Sequence, residues 1–238
     1  MGKEKGKVFR ASTLKEREEF YEEEFDLRRV IKWFKERGMK LPQLCAVDAG
    51  SETGIIVDKK LKGIMLYFPF EEFREKIKKY VPEDIYYDRN IYANPGEVLD
   101  TLNFNNPISQ ELTFDIDADN LGCDCEGKRT CDSCIDLAFE WAKKMKKELE
   151  REFKRVEIIY SGRGFHLHVS DKKAFLFDAV ERRLLNKKFS KFPIDEWVSA
   201  GNIRLIRLPY SLNGLVSRKV IPIKDLKFEK EKSYPGFL

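Results

Sequence analysis

Residues 156–169 read Val-Glu-Ile-Ile-Tyr-Ser-Gly-Arg-Gly-Phe-His-Leu-His-Val, two apolar-rich runs on either side of a turn with two glycines. This pattern predicts strands over Val156–Tyr160 and Phe165–Val169 joined as a hairpin. A hairpin is not stable by itself, so further strands and helices must cover one of its faces. The turn Ser161-Gly162-Arg163-Gly164 offers unobstructed backbone amides, a hydroxyl and a guanidinium, a set that suits an anion such as phosphate. Both histidines of the chain, His166 and His168, lie on one face of the second strand. Read from the residues alone, the pair is either a hydrogen-bonded interior pair or a metal site.

A second segment carries chemistry. Leu112-Thr-Phe-Asp-Ile-Asp117 alternates apolar and polar residues as a half-buried strand does, so Asp115 and Asp117 share a face opposite Phe114 and Ile116. The pair is either a solvated strand face or a site for divalent cations, which neutralise carboxylates that would otherwise repel. Asp119 extends the acidic run.

Cys123, Cys125, Cys131 and Cys134 follow within twelve residues as C-x-C-x5-C-x2-C, in a polar loop too short to order itself by burying apolar surface. Four thiolates around one tetrahedral Zn²⁺ supply the missing stabilisation, and a complete sulfur shell makes that zinc structural. Two disulfides or buried reduced thiols are the alternatives. Cys45, in an apolar run, is expected in the core.

Elsewhere the pattern predicts a helical region from a Thr13/Glu16 capping box to Gly38, strands between Leu44 and Phe70 including Gly54–Val57, and a helix over Glu71–Tyr80. A helix over Ile135–Lys154, short basic helical pieces over 171–194, and strands over Ile203–Leu208 and Lys219–Ile223 complete the reading. With 42% hydrophobic residues, 45 Lys+Arg against 41 Asp+Glu and a net charge of +4, the chain can bury a sizeable core and is no uniformly cationic nucleic-acid coat. No apolar run approaches the ~20 residues of a membrane span. The expectation is one mixed α/β domain over 1–238, cytoplasmic, with a zinc knob at 121–136.

The order of these segments, followed by Arg204-Leu-Ile-Arg-Leu-Pro-Tyr-Ser-Leu212, resembles the small catalytic subunit of archaeal and eukaryotic DNA primases. The likeness is strongest from Tyr87 to Ile223. It implies a primase–polymerase fold with mixed sheets flanked by helices. It also implies an enzyme that transfers nucleotides from NTP or dNTP to a 3′-hydroxyl with two Mg²⁺ or Mn²⁺ ions, making or extending primers on single-stranded DNA. Carried over by motif, Asp115 and Asp117 match the paired metal-binding aspartates, and Asp195 matches the third carboxylate. Ser161, Arg163 and His166 match the residues that hold the incoming triphosphate, and the four cysteines match the zinc knob. A primase large subunit is the implied partner, and a nucleoid-associated archaeal protein the implied setting.

The chain departs from the pattern at Asn213 and Leu215, where many relatives carry a histidine and a cation; Arg218 or Lys219 is expected to compensate. The stretch 172–192 is a shortened helical insertion. A non-catalytic or extension-only subunit that binds nucleic acid is therefore the alternative function. Arg182, Arg183, Lys187, Lys188, Lys191, Arg204, Arg207, Arg218 and Lys219 are the cations expected to include the contacts to template phosphates; Arg207 is expected to be structural or to face the nucleotide.

Overall fold

The structure, a computed structural model, describes residues 9–50, 65–121 and 130–238. The strand expected at Gly54–Val57, and Cys123 and Cys125 of the cysteine cluster, lie outside the described residues.

Thr13 caps α1 (Leu14–Glu19) in a capping box: its hydroxyl accepts the Glu16 N–H while the Glu16 carboxylate accepts the Thr13 N–H. The expected single N-terminal helical region is interrupted. A π turn follows at Phe20–Glu24, Phe25 is extended, and Asp26 caps a new helix, α2 (Leu27–Glu36), by accepting the Arg28 N–H at 2.9 Å. β1 (Leu44–Asp48) pairs with β2 (Met65–Pro69), and α3 (Phe73–Tyr80) ends at Val81, whose left-handed conformation precedes Pro82. β3 (Asp84–Asp88), β4 (Asn90–Ile91), α4 (Pro95–Thr101) and β5 (Ser109–Gln110) lead into β6 (Leu112–Asp117).

The long helix α5 (Asp132–Leu149) starts three residues earlier than Ile135, with Cys131 as N-cap, and ends before Lys154. β7 (Val156–Tyr160) and β8 (Gly164–Val169) form the expected hairpin. The basic segment holds a 3₁₀ turn and α6 (Ala179–Lys188); α7 (Glu196–Ser199) is a single turn capped by Asp195. β9 (Leu205–Arg207), β10 (Leu212–Asn213), β11 (Arg218–Lys219) and β12 (Ile221–Pro222) close the chain's described strands.

These strands make a six-stranded sheet, β11-β10-β3-β1-β2 with β9 also on β3, and a four-stranded sheet, β12-β7-β8-β6. Every described pairing is antiparallel, so the mixed α/β expectation is met with helices beside antiparallel sheets and without parallel crossovers. One face of the four-stranded sheet, with Phe114, Ile116, Ile158, Phe165 and Leu167, forms a core with Ile135, Ala138, Ala142 and Met145 of α5. Its other face turns to a second core built from α2, α3 and the six-stranded sheet, joined by Ile159 of β7. Between the two sheets, Tyr87 of β3 donates to Glu111, which lies 2.8 Å from His168 of β8; all three are buried. His168 is thus a hydrogen-bonded interior histidine. Cys45 is fully buried, as expected. Among the described residues no helix is long and apolar enough to cross a membrane.

Candidate active site

The face of β6 opposite the α5 core presents Asp115 and Asp117, and pairing with β8 sets what faces them. Asp115 lies across from His166, and Asp117 across from Gly164. His166 Nε2 is 3.7 Å from the Asp115 carboxylate, while its Nδ1 is buried without a hydrogen-bond partner. Burial, with His168 and two arginines nearby, holds His166 well below the usual imidazole pKa, so the ring is neutral.

Gly164 is required by close approach: a Cβ there would stand 2.3 Å from the Ile116 carbonyl oxygen. That contact seats the turn against the end of β6, where Ala118 N–H also donates to the Arg163 carbonyl at 3.1 Å. The Ser161 hydroxyl accepts the Gly164 N–H at 3.2 Å, closing the turn. Arg163 reaches Asp117 at 3.4 Å and Asp119 at 3.6 Å, long ion pairs on a side chain 31% exposed, so the guanidinium is free to change partner.

Asp195 arrives from a different element. Its backbone N–H donates to the Asp115 carbonyl at 2.9 Å, and its carboxylate accepts the Trp197 N–H at 2.8 Å as the N-cap of α7. Fully buried Arg89 fixes the other end of α7, donating to the carbonyls of Val198, Ile203 and Glu111. The three expected carboxylates are therefore neighbours. Their side chains do not converge on one point, and among the described residues no three His, Cys, Asp or Glu form a closed metal cage.

The charge balance nevertheless suits divalent cations. Burial, then Asp117, then Asp195 push the Asp115 carboxyl up to about 7, against the pull of Arg207 and Arg163. Burial also raises Asp117, opposed chiefly by Arg163. Crowded, desolvated carboxylates that resist ionisation are the donor set a hard cation stabilises.

Arg207, expected to be structural or to face the nucleotide, forks onto Asp84, at 2.9 Å to one oxygen, and lies over the Tyr86 ring; it is a largely buried charge whose field reaches Asp115. Several other cations take roles other than those expected from sequence. Arg218, 1% exposed, sits over the rings of Phe9 and Tyr234 and donates to backbone carbonyls; Lys219 pairs with Glu24 at 2.8 Å. Both are thereby held away from the phosphate role expected of them. Arg182 is also buried, donating to the carbonyls of Gln110 and Phe177, and so cannot contact template phosphates; Lys188 and Lys191 face glutamates.

Asn213 has a role that sequence reasoning did not assign. Fully buried, it donates to the Ser161 carbonyl at 2.9 Å and packs so tightly on Gly162 that a Cβ there would meet it at 2.7 Å. Gly162 also has φ +101°, a second reason for glycine. The only sequence signal was that Asn213 breaks a motif. Leu215 is partly exposed and cannot replace a cation.

Of the cysteine cluster, Cys131 and Cys134 are described. Their sulfurs are 3.5 Å apart at the start of α5. Cys134 is disulfide-bonded, as in the disulfide alternative and not in a four-thiolate shell.

The profile of the DNA primase small subunit family matches residues 114–192, which run from β6 through the hairpin to the end of the basic segment. An "uncharacterized DNA primase small subunit-like protein" of Archaeoglobus fulgidus is 38% identical, over 98% of this chain and 92% of its own length. The DNA primase small subunit PriS of Pyrococcus furiosus is 27% identical over 97% of this chain and 71% of its own; that of Pyrobaculum islandicum is 28% identical over 71% and 70%. The chain belongs to the DNA primase small subunit family.

Proposed function

We propose that the protein is a template-directed nucleotidyltransferase of DNA priming, moving a nucleotide from NTP or dNTP to a 3′-hydroxyl on single-stranded DNA in company with a primase large subunit. The observation that carries this reading is the register of β6 on β8, which sets two half-buried aspartates directly beside a phosphate-type turn and a neutral histidine. Asp115, Asp117 and Asp195 would hold Mg²⁺ or Mn²⁺. Bound there, such ions supply charge neutralisation and acidify the attacking hydroxyl.

The chain's own groups supply position and complementary charge. Arg163 exchanges its long contacts to Asp117 and Asp119 for triphosphate oxygens. His166, neutral, donates one hydrogen bond without adding charge, and Ser161 keeps a hydroxyl hydrogen to donate while its oxygen holds the turn. Asn213 fixes the turn from behind. No side chain need become a nucleophile. The four cysteines, in this reading, hold a structural zinc beside α5.

A second reading, a non-catalytic or extension-only subunit, is favoured by Asn213 and Leu215, where the departure from the family pattern puts one triphosphate contact in doubt. Nucleotide incorporation on a single-stranded template with Mg²⁺ or Mn²⁺, with and without the large subunit, separates the two. The enzyme reading expects incorporation by the wild-type chain and a loss of at least about 100-fold in Asp115→Ala and in Asp195→Ala, the scale of removing one strong electrostatic group. Full wild-type activity in both variants contradicts it; no incorporation by the wild type under any condition supports the second reading.

A further inference from the structure

Most cations that the sequence offers for a nucleic-acid strand are buried or paired, so a strand must be held in another way. Beside Asp195 the structure has one. Trp197 is 67% exposed on the outer face of α7. Its N–H donates to the Asp195 carboxylate, and its carbonyl accepts the N–H groups of Asn202 and Ile203 at 3.0 and 3.2 Å. Asn202 and Ile203 form one wall of an open cleft of about 790 Å³. Its lining also holds Phe104 and Arg204, the guanidinium lying 3.5 Å above the ring, and Gln110. The cleft lies toward the start of β6, whereas the Ser161–Gly164 turn lies at its end. Asp115 and Asp195 therefore lie between a triphosphate-type turn and a cleft with aromatic walls.

We infer that Trp197 and this cleft are the binding track for single-stranded nucleic acid, with Trp197 the stacking platform nearest the carboxylates; the inference rests on the proposed nucleotidyl transfer. Every base has a π-face, so an exposed indole and an arginine-stacked phenyl ring hold a strand without reading its sequence, as template copying requires. The exposed amides of Asn105 and Asn202 in the lining hydrogen-bond base edges or sugars. The track is not strongly basic: Arg204 is paired with Asp88, and Asp178 is part of the lining. Its affinity consequently falls only shallowly with salt, unlike a strand held by many phosphate contacts.

The test uses the full chain and a 5′-fluorescein-labelled oligothymidylate, read by anisotropy and by tryptophan emission. Trp197 is the most exposed of the three tryptophans; Trp33 is buried and Trp141 half-buried. Oligothymidylate is expected to quench wild-type emission but not that of Trp197→Phe, which binds within about threefold of wild type because it keeps a stacking ring. Trp197→Ala is expected to bind at least about tenfold more weakly, the scale of one lost base–aromatic stack. Ile203→Glu, an exposed wall position, weakens binding by a separate route.

Trp197→Ala and Ile203→Glu binding within twofold of wild type would overturn the track, as would a wild-type chain that binds no oligothymidylate. Reduced capture of a large subunit by Trp197→Ala, with oligothymidylate binding unchanged, would overturn it in favour of a protein-docking face. If the wild type binds through Trp197 yet incorporates no nucleotide, the proposed activity falls and the track stands. If it incorporates nucleotides while Trp197→Ala binds and copies normally, the track falls and the activity stands.

Discussion

Asp115 concentrates the electrostatic tension of the site. Its carboxyl, pushed up to about 7 by burial and by Asp117 and Asp195, binds a proton more tightly in the folded chain than in the unfolded one, where it has an ordinary aspartate value. Folding is therefore penalised by this group as pH rises from about 4 to 7, and the full penalty applies above 7. Asp115→Asn, which cannot ionise, should stabilise the metal-free protein above pH 7 by a few kcal/mol (about 4 at most), with the gain fading as pH falls toward 4. Thermal melts of both proteins from pH 4 to 8 with chelator present check this. Adding Mn²⁺ at pH 8 should raise the wild-type Tm more than that of the variant. A gain that is flat across pH would mean that Asp115 ionises normally.

At the scale of elements, segments with strong local patterns are legible in the sequence. β6 and the hairpin strands fall where period-2 alternation and two glycines put them, because one face must bury against α5 and the register leaves little freedom. The capping box at Thr13 is a local motif and forms as such. What escapes is set by tertiary partners. Nothing local says that Arg182 and Arg218 will be buried, since their acceptors and aromatic platforms come from distant residues such as Gln110, Phe9 and Tyr234. The turn α7 is too short to show periodicity, and the break at Phe25 comes from a π turn and a second N-cap at Asp26.

The start of α5 carries its own prediction. Cys131 is the N-cap of α5 and Cys134 lies in its first turn. With the cysteines reduced, a zinc bound by Cys131 and Cys134, with Cys123 and Cys125, would anchor that end. Elemental analysis of the purified chain should give about one zinc per chain, and Cys134→Ser should lose the metal and lower the Tm. A chain free of zinc with an unchanged melt in Cys134→Ser would contradict the knob.

At the scale of the molecule, the two sheets divide the labour. One core clamps α5 beneath β6 and β8 and makes that sheet rigid; the other joins the six-stranded sheet to Ile159 of β7 and brings Arg207 into the field of Asp115. The small net charge of +4 conceals this arrangement, since acids gathered at the site and arginines spent in the interior cancel in the total. Arg207 and Asn213 act from behind the carboxylates and the turn, Asn213 as a support that the motif residues leave out.

The central claim is that Asp115, Asp117 and Asp195 share divalent ions facing a triphosphate held by the Ser161–Gly164 turn. A crystal of the protein with Mn²⁺ and a nucleoside triphosphate, read at the manganese absorption edge, tests it most directly. Anomalous peaks ligated by Asp115 and Asp117 are expected, with Asp195 turned toward them and the phosphates on Arg163 and His166. Manganese absent from these carboxylates, or a triphosphate bound away from the turn, would contradict it.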